Sequence, residues 1–192
     1  MSSVYDAVRN RRSCSKVTAD TPDRDELLHL IEAAGRVADH SSLHPWRVIE
    51  IRGDARLALA QSFAQAEAKK KGTHTKKNTA GVVEGYARKT QRAELLLAVV
   101  YSPQSSGKVP DWEQEAVASG VAHALMLLLD DAGWGTIWRT GSYTRAKAVH
   151  RAHRLAKTER LLGWLYVGGK PSKEKDGRPR KTVNAEKFLT HL

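Results

Sequence analysis

Three short stretches hold polar and cationic side chains whose types and order could bind a ligand. The first is Arg11-Arg12-Ser13, where two fork-shaped guanidiniums and a hydroxyl follow a short predicted helix. Such donors match the paired oxygens of a phosphate or the edge of a pyrimidine ring. Two cations also suit the negative C-terminal end of that helix. The second stretch, Asp39-His40-Ser41-Ser42-Leu43-His44-Pro45-Trp46, is a polar loop closing on a proline and an aromatic strand. Alone, it reads equally as an ordinary helix-to-strand connection. The third, Trp138-Arg139-Thr140-Gly141, is a strand end running into glycine. Strand ends of this kind either present backbone N–H groups to a ligand or simply turn.

Other chemistries fail on spacing. Gly169-Lys170 ends like a phosphate-cradling loop, but Trp164 stands where its first glycine should be and Pro171 replaces the hydroxyl that would hold magnesium. Gly133-Trp134-Gly135 is only the first part of a dinucleotide fingerprint, and it ends a helix instead of opening one. His40 and His44 have the spacing of two ligands on a helix face, yet Pro45 and the paired serines place them in a loop. His150 and His153 lie among arginines and lysines. No metal site is expected. No Ser/His/Asp set emerges, Cys14 beside Arg12 reads as a bystander, and no residue is assigned as catalytic.

The elements that must position these stretches alternate in type. Val4–Asn10 predicts a short helix. Asp23 caps a second helix whose expected buried face is Leu27, Leu28, Leu30, Ile31 and Ala34. Trp46–Ile51 alternates as a strand, Asp54–Lys70 is helical, and Glu94–Tyr101 is an apolar run fitting a strand buried on both faces. Asp111 and Gln114 predict a capping box opening a helix that is apolar nearly all round from Ala116 to Leu129. That helix should be buried on every side and stop at Gly133-Trp134-Gly135. Thr136–Thr140 and Leu161–Val167 predict two more strands. Without a regular βαβ alternation, the pattern favours α+β over a doubly wound sheet.

Composition sets the frame. The 192 residues show no linker or repeat, which predicts a single domain over residues 1–192. One cysteine excludes an intrachain disulfide and fits a reducing cytoplasm. The start, Met1 to Arg12, is too charged for a secretory signal. Ala116–Leu129, the longest uncharged stretch, is shorter than the roughly 20 residues of a membrane span. Lys and Arg number 32 against 21 Asp and Glu, a net charge of +11 that attracts anions.

In order and spacing the three stretches resemble the FMN-dependent nitroreductase family, in its short bacterial NAD(P)H nitroreductase type. The arginine-serine motif follows the first helix, and a loop ending in Pro-Trp enters the first strand. A mostly apolar helix preceded by Lys108–Glu115 then leads to Gly-x-x-Trp-Arg-Thr-Gly. The similarity runs from about Tyr5 to Gly168. It implies a central, mostly antiparallel sheet flanked by helices, in an intertwined homodimer with FMN at the subunit interface. Arg11, Arg12 and Ser13 match the N-terminal flavin motif. Arg36 and His40 match positions reaching the flavin from the partner chain, and Trp138, Arg139 and Thr140 match the strand along the ring system. The implied reaction takes hydride from NAD(P)H and passes it to a nitroaromatic, quinone or enone in two half-reactions.

Some positions depart from the family pattern. Ser15 stands where many relatives have a basic residue, with Lys16 one step on; Ser42 stands for asparagine and His44 for the glutamine before Pro-Trp. Arg178 and Arg180 read either as a solvated tail or as a phosphate-binding pair. Lys69-Lys70-Lys71, Lys76-Lys77 and Arg88-Lys89 read either as a solvated face or as a mobile cover over the active site.

A nucleic-acid-binding module has the charge but lacks a recognisable motif, and its basic residues are spread along the chain. Flavin fragmentation and reductive dehalogenation are further reactions of the same fold. Neither a nucleic acid nor a membrane is expected as partner.

Overall fold

A computed structural model describes residues 3–72, 79–172 and 183–192. Helix α1 (Val4–Asn10) is capped by Ser3, whose Oγ accepts from the Asp6 amide at 3.1 Å. Helix α2 (Arg24–Ala34) is capped by Asp23, whose carboxylate accepts from the Glu26 amide at 2.8 Å. Its buried face is Leu27, Leu30 and Ala34. Leu28 was expected on that face but is 51% exposed, because a single contact stripe does not reach it.

Strand β1 (Trp46–Ile51), helix α3 (Ala55–Lys71), helix α4 (Thr79–Thr90) and strand β2 (Leu95–Tyr101) follow. Then come helix α5 (Asp111–Asp131), strand β3 (Trp134–Arg139), helix α6 (Lys147–Ala152) and strand β4 (Arg160–Gly169).

The four strands form one sheet in the order β1-β2-β4-β3, antiparallel at every pairing. β2, central and buried along its whole length, divides its side chains between two cores. Leu95, Leu97 and Val99 face α2 and α5 with Leu165 and Val167. Leu96, Ala98 and Val100 face α3 and α6 with Trp164 and Tyr166. Helices therefore cover both faces of an antiparallel sheet, an α+β layering. Between Val99 and Val100 the register shifts, with Gly163 opposite Val99 and Leu161 opposite Val100. This leaves Leu162 as the extra residue of a bulge in β4.

Two further expectations are corrected. The capping box does not form: Pro110 occupies the N-cap of α5, and Gln114 turns inward. Its buried amide accepts from the Gln104 amide at 2.9 Å and donates to the Val109 carbonyl at 3.0 Å, so it ties down the loop before the helix. Nor is α5 buried on every side of the chain. Val117, Ala118, Val121, Ala122, Leu125, Met126 and Leu129 form its buried stripe, whereas Ala116 and His123 stay exposed. Arg88 and Lys89 lie in the last turn of α4, which rests on α3. Lys76 and Lys77 lie outside the described residues, as do Arg178 and Arg180.

A bidentate ion pair ties β1 to the approach of β4. Arg47 donates to Glu159 from Nε at 2.6 Å and from Nη2 at 2.8 Å, and the Ala156 amide adds a third bond at 2.8 Å. Glu159 is buried, and the Arg47 guanidinium holds its carboxyl at about 2, below the ordinary 4.5. The folded value is the lower one, so the contribution to stability is complete above pH 4.5 and disappears as pH falls through about 2. Glu159→Gln is expected to lower unfolding free energy at pH 7 by up to about 3 kcal/mol. Urea titrations should show the gap between variant and wild type closing from about pH 4 downward; a pH-independent gap would contradict this account.

Candidate functional site

The edge strand β3 receives the N-terminal motif. The Cys14 amide donates to the Thr136 carbonyl at 2.7 Å, and the Thr18 amide donates to the Gly169 carbonyl at 2.8 Å. Gly169 pairs with Trp134. These two anchors run the segment antiparallel to β3, which puts Arg11, Arg12 and Ser13 on the side of the anchor nearer Trp138 and Thr140. Glycine makes the approach possible. A Cβ on Gly135 would lie 3.0 Å from Cys14 Sγ, and one on Gly168 would lie 2.6 Å from the Thr18 carbonyl oxygen.

Several buried side-chain atoms of this region have no hydrogen-bond partner among the described residues. Arg11 Nη1, Trp138 Nε1 and Arg139 Nε are buried yet make no hydrogen bond among the described residues. Thr136 Oγ1 and Trp46 Nε1 share that state. Each such donor forfeits about 1–3 kcal/mol unless something accepts from it. Arg12, Ser13 and Thr140 are exposed and free to meet a ligand at the rim.

Neighbouring residues of β3 point to opposite faces of the sheet. Trp138 packs edge-on against the His123 ring of α5, with centroids 5.1 Å apart. Arg139 lies over the Tyr166 ring at 5.4 Å and lines a cavity of about 150 Å³. Phe63, Tyr86, Lys89, Arg92, Thr140, Tyr143 and Trp164 complete the wall.

Two of these residues, Tyr86 and Tyr143, belong to a polar line that leaves no signal in the sequence. Tyr143 donates to Glu67 Oε2 at 2.7 Å and meets the Tyr86 hydroxyl, while Lys71 pairs with Glu67 Oε1 at 2.9 Å. Because the Tyr143 proton is committed to the carboxylate, Tyr86 donates to Tyr143. Burial, then the bonds to Tyr86 and Glu67, push the Tyr143 hydroxyl far above its ordinary value. The same bond from Tyr143, with Lys71, lowers the Glu67 carboxyl. Trp164 is held from behind: its indole donates to His153 Nε2 at 2.9 Å, and His153 Nδ1 donates to the Val149 carbonyl at 2.7 Å. Burial lowers the His153 pKa, keeping the ring neutral as the indole requires.

The second polar stretch lies elsewhere in the chain. His40 opens a 3-10 turn over His40–Ser42, and its Nδ1 meets Glu113 Oε1 of α5 at 2.8 Å. Arg36 is exposed just past α2. No hydrogen bond or ion pair among the described residues joins Arg36 or His40 to the β3 edge. Ser41, Ser42 and His44 take φ of 65°, 50° and 47°, so this loop stores backbone strain of the kind that collects at ligand sites. Asp39 supports it by accepting from the His44 amide at 2.7 Å.

Among the described residues no group of His, Cys, Asp and Glu side chains is placed to hold a metal ion. Among the same residues no helix is long and apolar enough to cross a membrane.

Known proteins resemble the chain in both sequence and fold. The model of the nitroreductase family matches residues 8–169. A relative from Escherichia coli (strain K12), named "Putative NAD(P)H nitroreductase YdjA", is 30% identical over 159 residues, covering 83% of this chain and 84% of that protein. Among solved structures, the FMN and NADPH-dependent nitroreductase NfnB, from sphigopyxis sp. strain HMH, superposes with a TM-score of 0.74 at 17% identity, over 100% of this chain and 99% of the other. Iodotyrosine deiodinase bound to FMN and 3-iodo-L-tyrosine superposes at 0.67 and 18% identity, over 98% of this chain and 100% of the other. At those identities the two structures establish the fold alone.

Proposed function

The chain belongs to the nitroreductase family, and from that membership we propose that it is an FMN-dependent oxidoreductase passing hydride from NAD(P)H to an electron-poor nitroaromatic, quinone or enone. The observation that carries this reading is the set of buried, unpartnered donors on Arg11, Trp138 and Arg139. All three belong to the motifs the family resemblance assigns to the cofactor. Their chemistry fits it, since a phosphate and a carbonyl-bearing ring edge offer acceptors to such donors.

When bound, FMN supplies the hydride chemistry between the two substrates. The protein supplies grip and field. Arg11, Arg12 and Ser13 would hold phosphate or ring oxygens, Trp138 and Thr140 would line the ring system, and Arg139 would add positive charge beside it. Cations held in a partly dehydrated site stabilise negative charge that develops there. No acid or base from the protein is assigned.

A homodimer completes the site in this reading. Arg36 and His40 would reach the flavin held chiefly by the other copy, with Glu113 steadying the His40 ring. Its support is the apolar surface left uncovered on one chain: Val4, Tyr5 and Trp112 are 83%, 69% and 74% exposed.

Purified protein is expected to be yellow, to release FMN on heating and to sediment as a dimer. Initial-rate plots should be parallel, as two half-reactions sharing one site demand. Intersecting plots would sink the two-half-reaction scheme. A colourless monomer that takes up no added FMN would sink the assignment as a whole.

A further inference from the structure

A second cavity lies across the 3-10 turn Ser142–Arg145 from the one at Arg139. The turn gives Tyr143 to the first and Arg145 to the second, while α3 gives Phe63 to the first and Lys69 to the second. The second encloses about 340 Å³. Four cations wall it: Lys69 from the end of α3, Arg145 from the turn, and Lys147 and Arg151 from α6. The rest of the lining is alanine and one glutamine, with no carboxylate and no aromatic ring.

Several cations elsewhere in the chain have a carboxylate partner. Arg47 pairs with Glu159, Arg56 with Glu94, Lys71 with Glu67, Arg88 with Glu84, Arg160 with Glu115 and Lys170 with Asp130. The side chains of the four cleft cations have no ion pair or hydrogen bond among the described residues. Like charges gathered around one hollow repel one another. Four around one concavity therefore disfavour each other until an anion joins them. A merely solvating basic face has no reason to gather cations from three elements into a hollow.

We infer that this cleft binds the phosphate groups of a small molecule, as a phosphomonoester or a diphosphate. The guanidiniums of Arg145 and Arg151 offer forks for paired phosphate oxygens, and the lysines add point charge. The volume suits a small ligand. A nucleic acid is disfavoured because the lining offers no ring for a base to stack on. Two sources share the chemistry: the phosphates of a nicotinamide dinucleotide, and free phosphate or pyrophosphate. None of the four residues belongs to the proposed flavin set; the dinucleotide source rests on the proposed use of NAD(P)H, whereas anion binding by the cleft does not.

The test is calorimetric titration of the protein as purified, with 2′,5′-ADP and separately with inorganic pyrophosphate, at low and moderate salt. Saturable binding that weakens with salt is expected, as is a Kd raised at least about tenfold in Arg145→Glu/Arg151→Glu. The exposed positions of both arginines should leave the melting temperature and the flavin spectrum unchanged. Lys69→Glu/Lys147→Glu provides a second pair of substitutions. Tighter binding of 2′,5′-ADP than of pyrophosphate supports the dinucleotide source; equal or weaker binding supports the free anion. Three results would overturn the inference: no saturation at millimolar ligand, wild-type affinity in both double variants, or displacement by a single-stranded oligonucleotide at equal phosphate concentration.

Discussion

Arg11→Met is expected to weaken FMN binding by roughly 10- to 100-fold while leaving the fold intact. Arg11 is half-buried, and its Nη1 is shut away from water without an acceptor among the described residues. A hydrogen bond between a charged donor and its partner contributes roughly 1.5–3 kcal/mol, which is the stated range in Kd. Removing the guanidinium also removes the penalty of keeping that donor dry in the ligand-free protein. The flavin-free variant should therefore melt at or above the wild-type temperature, even as it loses cofactor. Fluorescence titration with FMN, paired with thermal melts of the stripped protein, separates the two effects. Wild-type FMN affinity in the variant, or a large drop in its ligand-free melting temperature, would show that Arg11 is a structural residue. Arg12→Met, at an exposed position, should produce a smaller and more salt-sensitive loss.

Gly163→Ala should do the opposite and damage the scaffold first. Gly163 sits in the β4 bulge with φ at 147°, a conformation that L side chains rarely adopt. A Cβ there would collide with the Trp138 indole nitrogen and lie 2.6 Å from the Arg139 carbonyl. Backbone strain and overpacking each cost about 1–3 kcal/mol, so a loss of roughly 2–6 kcal/mol follows. For a domain of this size that means a melting temperature lower by roughly 5–20 °C. Because the colliding atoms belong to Trp138 and Arg139, FMN affinity should fall together with stability. A variant that melts and binds like wild type would show that β3 can shift freely, and that the β3 end is not held in place by this bulge.

The elements carried by local pattern were legible. Asp23 caps α2 as expected, because a carboxylate three residues before a free amide needs nothing from the rest of the chain. β2 was readable because a strand covered on both faces has to be apolar at every position. The helix α4 was not readable. Its glycines, Gly81 and Gly85, lower intrinsic helix propensity, and the element forms by packing on α3. Gln114 misled for a related reason: the polar loop from Gln104 to Val109 competed for its amide and took it from the predicted cap.

The candidate site divides in the same way. Arg11-Arg12-Ser13 and Trp138-Arg139-Thr140 could be singled out because each is a contiguous run of donor-bearing residues. The Tyr86–Tyr143–Glu67 line could not, since Tyr143 stands 57 residues from one partner and 76 from the other. The four cations of the second cleft were likewise invisible as a group, and only Lys69 fell within a charge run.

Residue order thus settles the chemistry on offer, namely cationic forks beside a strand end, along with the elements that carry it. Packing settles which donors are stranded away from water and which like charges are forced together. Desolvation and Coulomb energy depend on distances through space, and those come into being only when the sheet closes between its two layers of helices.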